Sequence, residues 1–463
     1  MDAFQITGGV PLVGAVDASG AKNAALPIMA AAILADEPVL LDGVPDLLDV
    51  ATLSRMLRRL GVSVRHQGVQ SLRLENKDAT LVQADGRLMR RMRASFCVLG
   101  PLVARRRQAI VPLPGGCAIG DRPVDLHLRG LAALGADIQV RDGCVVAQAR
   151  RLTGARIHLS GPWGPTVTGT ANVLSAATLA RGTTVITGAA TEPEIVDLGK
   201  FLTRIGARIE GLGTQTIVVE GIEQLGGGGH RVIPDRIEAA TLLCAGAITG
   251  GQVTVRGVIA EHMTAVLEVL ADAGFGVRLH EDSITLTSTT DFRRPIQLTA
   301  RPYPHVPTDM QSQFTALASL IPGRSQITDQ VFPQRFHHVR ELARLGAKVR
   351  RTAGGAIVTG VSQLEGARVV ATDLRASASL VLAGLAAEGM TVVHRIGHLE
   401  RGYERLDEKL NNLGAQVERL DSRGNEFGSA EKSHQQSLGN RPWRTLDRKA
   451  RFGPESSHDL VAS

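Results

Sequence analysis

A cysteine in a glycine-rich loop is the residue of this chain best set for chemistry. The segment Leu113-Pro114-Gly115-Gly116-Cys117-Ala118-Ile119-Gly120-Asp121-Arg122-Pro123 carries three glycines between positions 115 and 120, which predicts a mobile loop. Pro123 predicts the start of a helix whose apolar residues Val124, Leu128, Leu131 and Leu134 recur at helical spacing. On such a lid, with Arg122 near enough to stabilise a thiolate, Cys117 reads as a reactive, partly exposed thiol. Cys97 and Cys244 lie in apolar helical runs and read as buried hydrophobes. The cysteines at 97, 117, 144 and 244 show no paired or metal-type spacing, so neither a structural disulfide nor a metal site is expected.

Other groups suit an anionic ligand. Lys22 and Asn23, in Ser19-Gly20-Ala21-Lys22-Asn23, stand at the start of an apolar helix, where side chains and free amides can meet an anion. In Pro307-Thr308-Asp309-Met310-Gln311, Thr308 or Asp309 either caps a helix that buries Met310, Phe314, Leu317 and Ile321, or Asp309 accepts a proton from a substrate hydroxyl. Arg335, Asp373-Leu374-Arg375 and Arg401 to Arg405 put cations at element ends, which suits a ligand with several negative oxygens. Arg87, Arg90, Arg91, Arg93, Arg105, Arg106, Arg107 and Arg122 read either as cations converging on a small polyanion or as a solvated face.

These residues must be positioned by a repeat. An apolar helical pattern ends in Leu60-Gly61, Leu134-Gly135, Ile205-Gly206, Ala273-Gly274, Leu345-Gly346 and Leu413-Gly414, with successive glycines 74, 71, 68, 72 and 68 residues apart. Each glycine can close a helix in the left-handed conformation, and each is followed by a strand-like run. A second set of alanine-rich helices (24–35, 94–104, 172–180, 239–248, 314–321 and 376–387) ends 25 to 31 residues before each glycine. Strand-like residues follow, as in Thr183 to Thr187, Gln252 to Val255 and Thr391 to Val393. The unit is helix, strand, helix, strand, made six times, and six such units exceed one core, which predicts two domains of three.

Composition excludes several classes. The net charge is +7, but aromatics are only 3% of residues and no nucleic-acid motif is present, so a nucleic-acid partner is not expected. The most apolar run, Ala24 to Ala35, is too short for a bilayer and contains Pro27. The start Met1-Asp2-Ala3-Phe4-Gln5 lacks a basic segment leading into an apolar one, which makes the cytoplasm the expected compartment. Residues 425–463 hold 10 hydrophobic residues in 39, too few for a core, so a disordered tail is expected there.

With these residues in view the chain resembles the UDP-N-acetylglucosamine enolpyruvyl transferases of the EPSP synthase family over residues 1 to 420. The resemblance rests on Ser19 to Pro27, on Pro114-Gly115-Gly116-Cys117 with Arg122-Pro123-Val124-Asp125-Leu126-His127, and on Glu192-Pro193-Glu194 and Pro234-Asp235-Arg236. Pro307 to Gln311, Asp373-Leu374-Arg375-Ala376-Ser377 and Arg401-Gly402-Tyr403-Glu404-Arg405 complete it. It implies an α/β fold, a two-domain inside-out α/β barrel of six βαβαββ repeats. One domain would span 21–231 with the loop 113–123, and the other 1–20 plus 232–424. It implies transfer of the enolpyruvyl group of phosphoenolpyruvate to the 3-hydroxyl of UDP-N-acetylglucosamine, without a cofactor, through a tetrahedral intermediate. In that scheme Cys117 protonates the methylene carbon and Asp309 takes the hydroxyl proton. Lys22, Asn23, Arg122 and Arg401 hold phosphoenolpyruvate. Arg93, Arg122, Pro123, Val124, Asp125, Leu126, Gly164, Pro165, Thr166, Val167, Asp309 and Val331 meet the sugar nucleotide, with Arg335, Asp373 and Arg375 in support. Groups on two domains would need closure to meet, which would bring the Cys117 loop over the cleft.

The turn Gly164-Pro165-Thr166-Val167-Thr168-Gly169 departs from the family pattern by placing its glycine one position later, which bears on contacts to the nucleotide. The shikimate-pathway sister enzyme lacks the Gly-Gly-Cys loop, and RNA 3'-phosphate cyclases need a histidine motif not found here. A paralogue using another acceptor, or one that only binds the sugar nucleotide, is the alternative.

Overall fold

The protein is described here by a computed structural model covering residues 2–114, 123–288 and 293–420. The expected loop around Cys117 and Arg122 and the expected tail from residue 425 lie outside the described residues. All six repeat glycines take positive φ, from 76° at Gly61 to 118° at Gly206. At Gly135 and Gly414 an added Cβ would meet nothing within 4 Å, so the left-handed backbone itself selects glycine there. Each of these glycines follows an outer helix: Leu48–Arg59, Asp125–Ala133, Pro193–Arg204, Thr264–Asp272, His338–Arg344 and Leu406–Asn412.

The alanine-rich segments form the inner helices Lys22–Ala31, Leu99–Arg106, Val167–Ala177, Arg236–Ile248, Gln311–Ala318 and Leu374–Ala386. They are buried nearly all round, and every residue of Arg236–Ile248 is buried, because small side chains let helices approach while sheets cover the outside. Truncating Leu242 or Leu243 to alanine there removes packing of about 2–5 kcal/mol. The second inner segment differs from its expected helix. Arg93–Val98, which holds Cys97, is a 3-10 turn, and the α-helix begins only at Leu99. The helix expected to start at Pro123 begins at Asp125.

Five of the six large sheets repeat one arrangement, in which a leading strand runs parallel to a central strand and the central strand pairs antiparallel with the last strand of a hairpin. In Thr183–Thr187, for example, Arg156–His158 lies parallel on one side and Thr216–Glu220 antiparallel on the other. In the sixth, Gln108–Pro112 pairs antiparallel with Cys144–Gln148 and has only the isolated bridge Gln83 to Ile110 on its parallel side. Two leading strands are exchanged. Val13–Asp17 lies parallel to Gln252–Arg256, whereas Gly228–Arg231 lies parallel to Val39–Asp42. The N-terminal Ala3–Thr7 fills the hairpin position beside Met390–His394. Every ladder between named strands therefore stays either within 39–231 or within 3–17 joined to 252–420, three large sheets to each set. These sets are the first and second lobes of a two-domain inside-out α/β fold. No helix among the described residues is long and apolar enough to cross a membrane.

Candidate active site

Lys22 opens the first inner helix, whose N-cap Ala21 supplies no side-chain hydrogen bond. Its amide donates to Asp235 Oδ2 at 3.3 Å and its Nζ to Asp49 Oδ2 at 3.4 Å. Asn23 beside it is exposed. From the second lobe, Arg401 ends the 3-10 helix Ile396–Arg401 and reaches the same carboxylate, with Nε 2.9 Å from Asp49 Oδ1. Burial lowers the Lys22 pKa below the ordinary lysine range. Asp49 and Asp309 oppose that fall, and Arg375 and Arg401 add to it.

Asp309 does not cap a helix, and neither does Thr308. The turn Thr308–Met310 is 3-10, its N-cap is Pro307, and no side chain closes it. The Asp309 carboxylate is instead divided between Arg335 Nη1 at 2.7 Å and Arg375 Nη2 at 2.9 Å. Burial alone would raise this carboxyl, but the guanidinium groups of Arg375 and Arg335 hold it well below the usual carboxylate range. Asp373 caps the helix that carries Arg375, accepting the Arg375 amide at 3.0 Å, and also faces Arg335 Nη2 at 3.9 Å. The Arg375 guanidinium lies over the Tyr403 ring, 5.2 Å from its centre.

Asp329 was not singled out from the sequence. It accepts the Thr308 hydroxyl at 2.6 Å and the amides of Val331 and Phe332, each at 2.8 Å, and so ties the Val331 turn to the Asp309 turn.

On the first lobe, Arg93 Nη2 lies 3.5 Å from the carbonyl of Pro123, with Val124, Asp125 and Leu126 following at the start of an outer helix. The short ladder Ser160–Gly161 with Gly164–Pro165 packs next to Leu126. A Cβ at Gly164 would come within 2.9 Å of Pro302 of the second lobe. Thr166 caps the helix Val167–Ala177 through the Gly169 amide at 3.2 Å. A side chain at position 169 would collide with that Thr166 cap, which accounts for the displaced glycine of the turn. Thr168 turns inward to His127 Nε2 at 2.9 Å.

The lobes meet through groups that no local pattern announces. Arg236 pairs with Glu194 through two bonds of 3.0 and 3.3 Å, joining two motif blocks 42 positions apart. Glu404 accepts the Asp46 amide at 2.9 Å and Gln70 Nε2 at 2.9 Å. Asp49 itself carried no signal beyond an acidic residue in a helix first turn.

Three of the arginines read as converging cations serve the scaffold instead. Arg105 pairs with Asp36, Arg106 donates to the carbonyls of Leu60 and Leu81, and Arg107 closes its helix with φ 63°. Helix-end carbonyls compete well for such side chains. Cys97 and Cys244 are buried, and burial pushes both thiols up to about 12, so neither supplies a thiolate at neutral pH. Cys117 and Arg122 fall outside the described residues.

Comparison with known proteins bears on this arrangement. Residues 6–410 match the family described as EPSP synthase (3-phosphoshikimate 1-carboxyvinyltransferase). The UDP-N-acetylglucosamine 1-carboxyvinyltransferase of Akkermansia muciniphila is 50% identical over 422 residues, which is 91% of this chain and 99% of its own length. The protein of the same name from Coxiella burnetii is 48% identical over 423 residues, 91% of this chain and 97% of its own. Among solved structures, the enolpyruvyl transferase NikO from Streptomyces tendae aligns with a TM-score of 0.81 at 27% identity, over 90% of this chain and 98% of that one. EPSP synthase from Acinetobacter baumannii shares the fold, with a TM-score of 0.68 at 19% identity, over 91% of this chain and all of that one (100%). The chain therefore belongs to the EPSP synthase family and, within it, to the UDP-N-acetylglucosamine 1-carboxyvinyltransferases.

Proposed function

We propose that this protein transfers the enolpyruvyl group of phosphoenolpyruvate to the 3-hydroxyl of UDP-N-acetylglucosamine and releases phosphate, the first committed step of peptidoglycan precursor synthesis, in the cytoplasm. The observation that carries this reading is the identity of about half the residues, over 91% of the chain, with relatives of that name. The geometry supports it with cations from both lobes, Lys22 and Arg401 on one carboxylate and Arg335 and Arg375 on another. We place the domain boundaries at the strand exchange, with 21–231 in one domain and 1–20 plus 232–424 in the other.

In the proposed mechanism Lys22, Asn23, Arg122 and Arg401 hold the phosphate and carboxylate of phosphoenolpyruvate. Cys117 gives its sulfur proton to the methylene carbon, and the neighbouring carbon becomes electrophilic. The sugar oxygen bonds to that carbon and gives up its proton. Elimination then breaks the bond to the phosphate oxygen as the Cys117 thiolate takes back a methyl proton and the double bond returns. Positive charge fixed at the phosphate stabilises its departure.

Asp309 is a weak base in its arginine clamp, so before reaction it accepts a hydrogen bond and aims the hydroxyl. The proton moves to it only as the carbon–oxygen bond forms and that hydroxyl becomes strongly acidic. We assign Arg93, Arg122, Pro123 to Leu126, Gly164 to Val167, Asp309 and Val331 to the sugar nucleotide.

The deciding measurement is phosphate release from purified protein with both substrates. Release that depends on UDP-N-acetylglucosamine supports the reading, and none at any substrate level ends it. Cys117→Ser is expected to abolish turnover, whereas Cys117→Asp, which can also donate a proton, retains some. Equal rates for wild type and Cys117→Ser would remove the acid role.

A further inference from the structure

Asp49 is a buried carboxylate on an outer helix, and the transfer scheme gives it no part. Two cations share it. Lys22 Nζ lies 3.4 Å from Oδ2, while Arg401 places Nε 2.9 Å from Oδ1 and Nη2 3.5 Å from Oδ2. The lysine comes from the first lobe and the arginine from the second, 27 and 352 positions away in the chain.

A buried anion beside a phosphate site is costly twice, through its own desolvation and through repulsion of the ligand. Its retention at this spot, on the two cations assigned to phosphoenolpyruvate, calls for a use. We infer that Asp49 is a positioning residue for the enolpyruvyl transfer: a resident anion that gathers Lys22 and Arg401 in the empty site and yields them to the incoming phosphate. This rests on the transfer reading above.

The surrounding charges define what its loss does. Lys22 is faced by Asp49 from the outer helix, by Arg375 and Asp309 from the second lobe's helix starts, and by Arg401 from the 3-10 helix. Asp309 is already divided between two arginines, and Asp235 is spent on the Lys22 amide and on capping its own helix. Without Asp49 the lysine stays desolvated next to two guanidinium groups and releases its proton at lower pH. Below that pH the phosphate no longer meets a fixed negative charge. The neutral variant therefore binds phosphate well in mild acid and poorly in alkali.

The test is calorimetric titration of phosphoenolpyruvate, and separately of inorganic phosphate, into wild type, Asp49→Asn and Asp49→Glu from about pH 6.5 to about pH 9.5. Asp49→Asn is expected to match or exceed wild-type affinity at the acid end and to lose roughly tenfold relative to it at the alkaline end, a loss of charge on one lysine. Asp49→Glu should follow wild type, and KM for the sugar nucleotide should not change in either variant. In Asp49→Asn with Lys22→Arg the added pH dependence should vanish, since a guanidinium does not titrate there. Asp49→Ser, small and suited to a helix first turn, repeats the test if the amide variant does not fold. Parallel pH profiles for wild type and the neutral variants, or an alkaline loss that survives Lys22→Arg, would overturn the inference. Phosphate release by wild type is assayed alongside. Its absence would count against the transfer reading, while the binding profiles still report on Asp49.

Discussion

Asp309 and Asp49 each receive two cations, yet the two clusters are built for different ends. Around Asp309 the partners are Arg335 and Arg375, whose side chains are 7% and 2% exposed, at 2.7 and 2.9 Å. Asp373, Thr308, Asp329 and Tyr403 brace them from behind. Around Asp49 the partners are Lys22, 11% exposed at 3.4 Å, and Arg401, 36% exposed at 2.9 Å. The first cluster has no slack and keeps one carboxylate ionised in one place. The second spans the lobes with a long contact and a half-exposed arginine, so its cations can change partner. A rigid clamp suits the group that orients a nucleophile, and a looser pair suits groups that must admit a polyanion and release it.

The contrast is sharpest in the loss of each anion. Asp309→Ala leaves two buried guanidinium groups uncompensated and should lower kcat by roughly 10²–10⁴, with a fall in stability of about 3–5 kcal/mol. Steady-state kinetics with denaturant melts checks both, and a stable variant would show that the clamp is not rigid. Next in size, Arg401→Lys should raise KM for phosphoenolpyruvate about tenfold through loss of a bidentate contact, leaving Tm unchanged. Arg335→Lys should do the reverse, lowering Tm with a smaller change in KM. Equal behaviour of the two variants would erase the distinction.

pH separates the clusters as well. The folded pKa of Lys22 lies below its unfolded value, so its charge costs stability in full below the folded pKa, and the cost fades as pH rises from that value to the unfolded one. In alkali, affinity for phosphoenolpyruvate should therefore decline before the fold weakens. The folded pKa of Asp309 is depressed, so its contribution to stability is present above the unfolded carboxylate pKa and is lost only as pH falls through the lower folded value. Mild acid should leave that cluster intact. Melting curves and phosphoenolpyruvate titrations across pH test both, and early alkaline unfolding would contradict the assignment to Lys22. The smallest effect is expected from Thr308→Val, which removes the hydroxyl between Arg335 and Asp329. It should cost about 1 kcal/mol in a denaturant melt, with little change in KM for phosphoenolpyruvate.

Much of the fold was legible in the chain because its signals are local. The six glycines after apolar helices mark left-handed closures, and all six take positive φ. The structure adds helix caps at Asp235 and Asp373, each of which accepts the amides two and three residues on. The reading of Asp309 as a cap shows where such logic stops. An aspartate before an apolar helix is locally indistinguishable from an N-cap, and only the arrival of Arg335 and Arg375, 26 and 66 positions later, decides its use. Arg105 and Arg106 erred the other way, since a run of arginines carries no record of the nearby Asp36 or of the carbonyl at Leu60.

By itself the sequence determined the repeat, its helix ends, its buried inner helices and the residue types for anion chemistry, since backbone conformation and apolar spacing act within a few residues. Only the tertiary structure decided which carboxylate faces which cation, with Asp49 between Lys22 and Arg401 and Glu194 on Arg236. The energy of a buried charge depends on groups brought near it in space, and the exchange of two strands between sheets sets those distances without leaving a local mark.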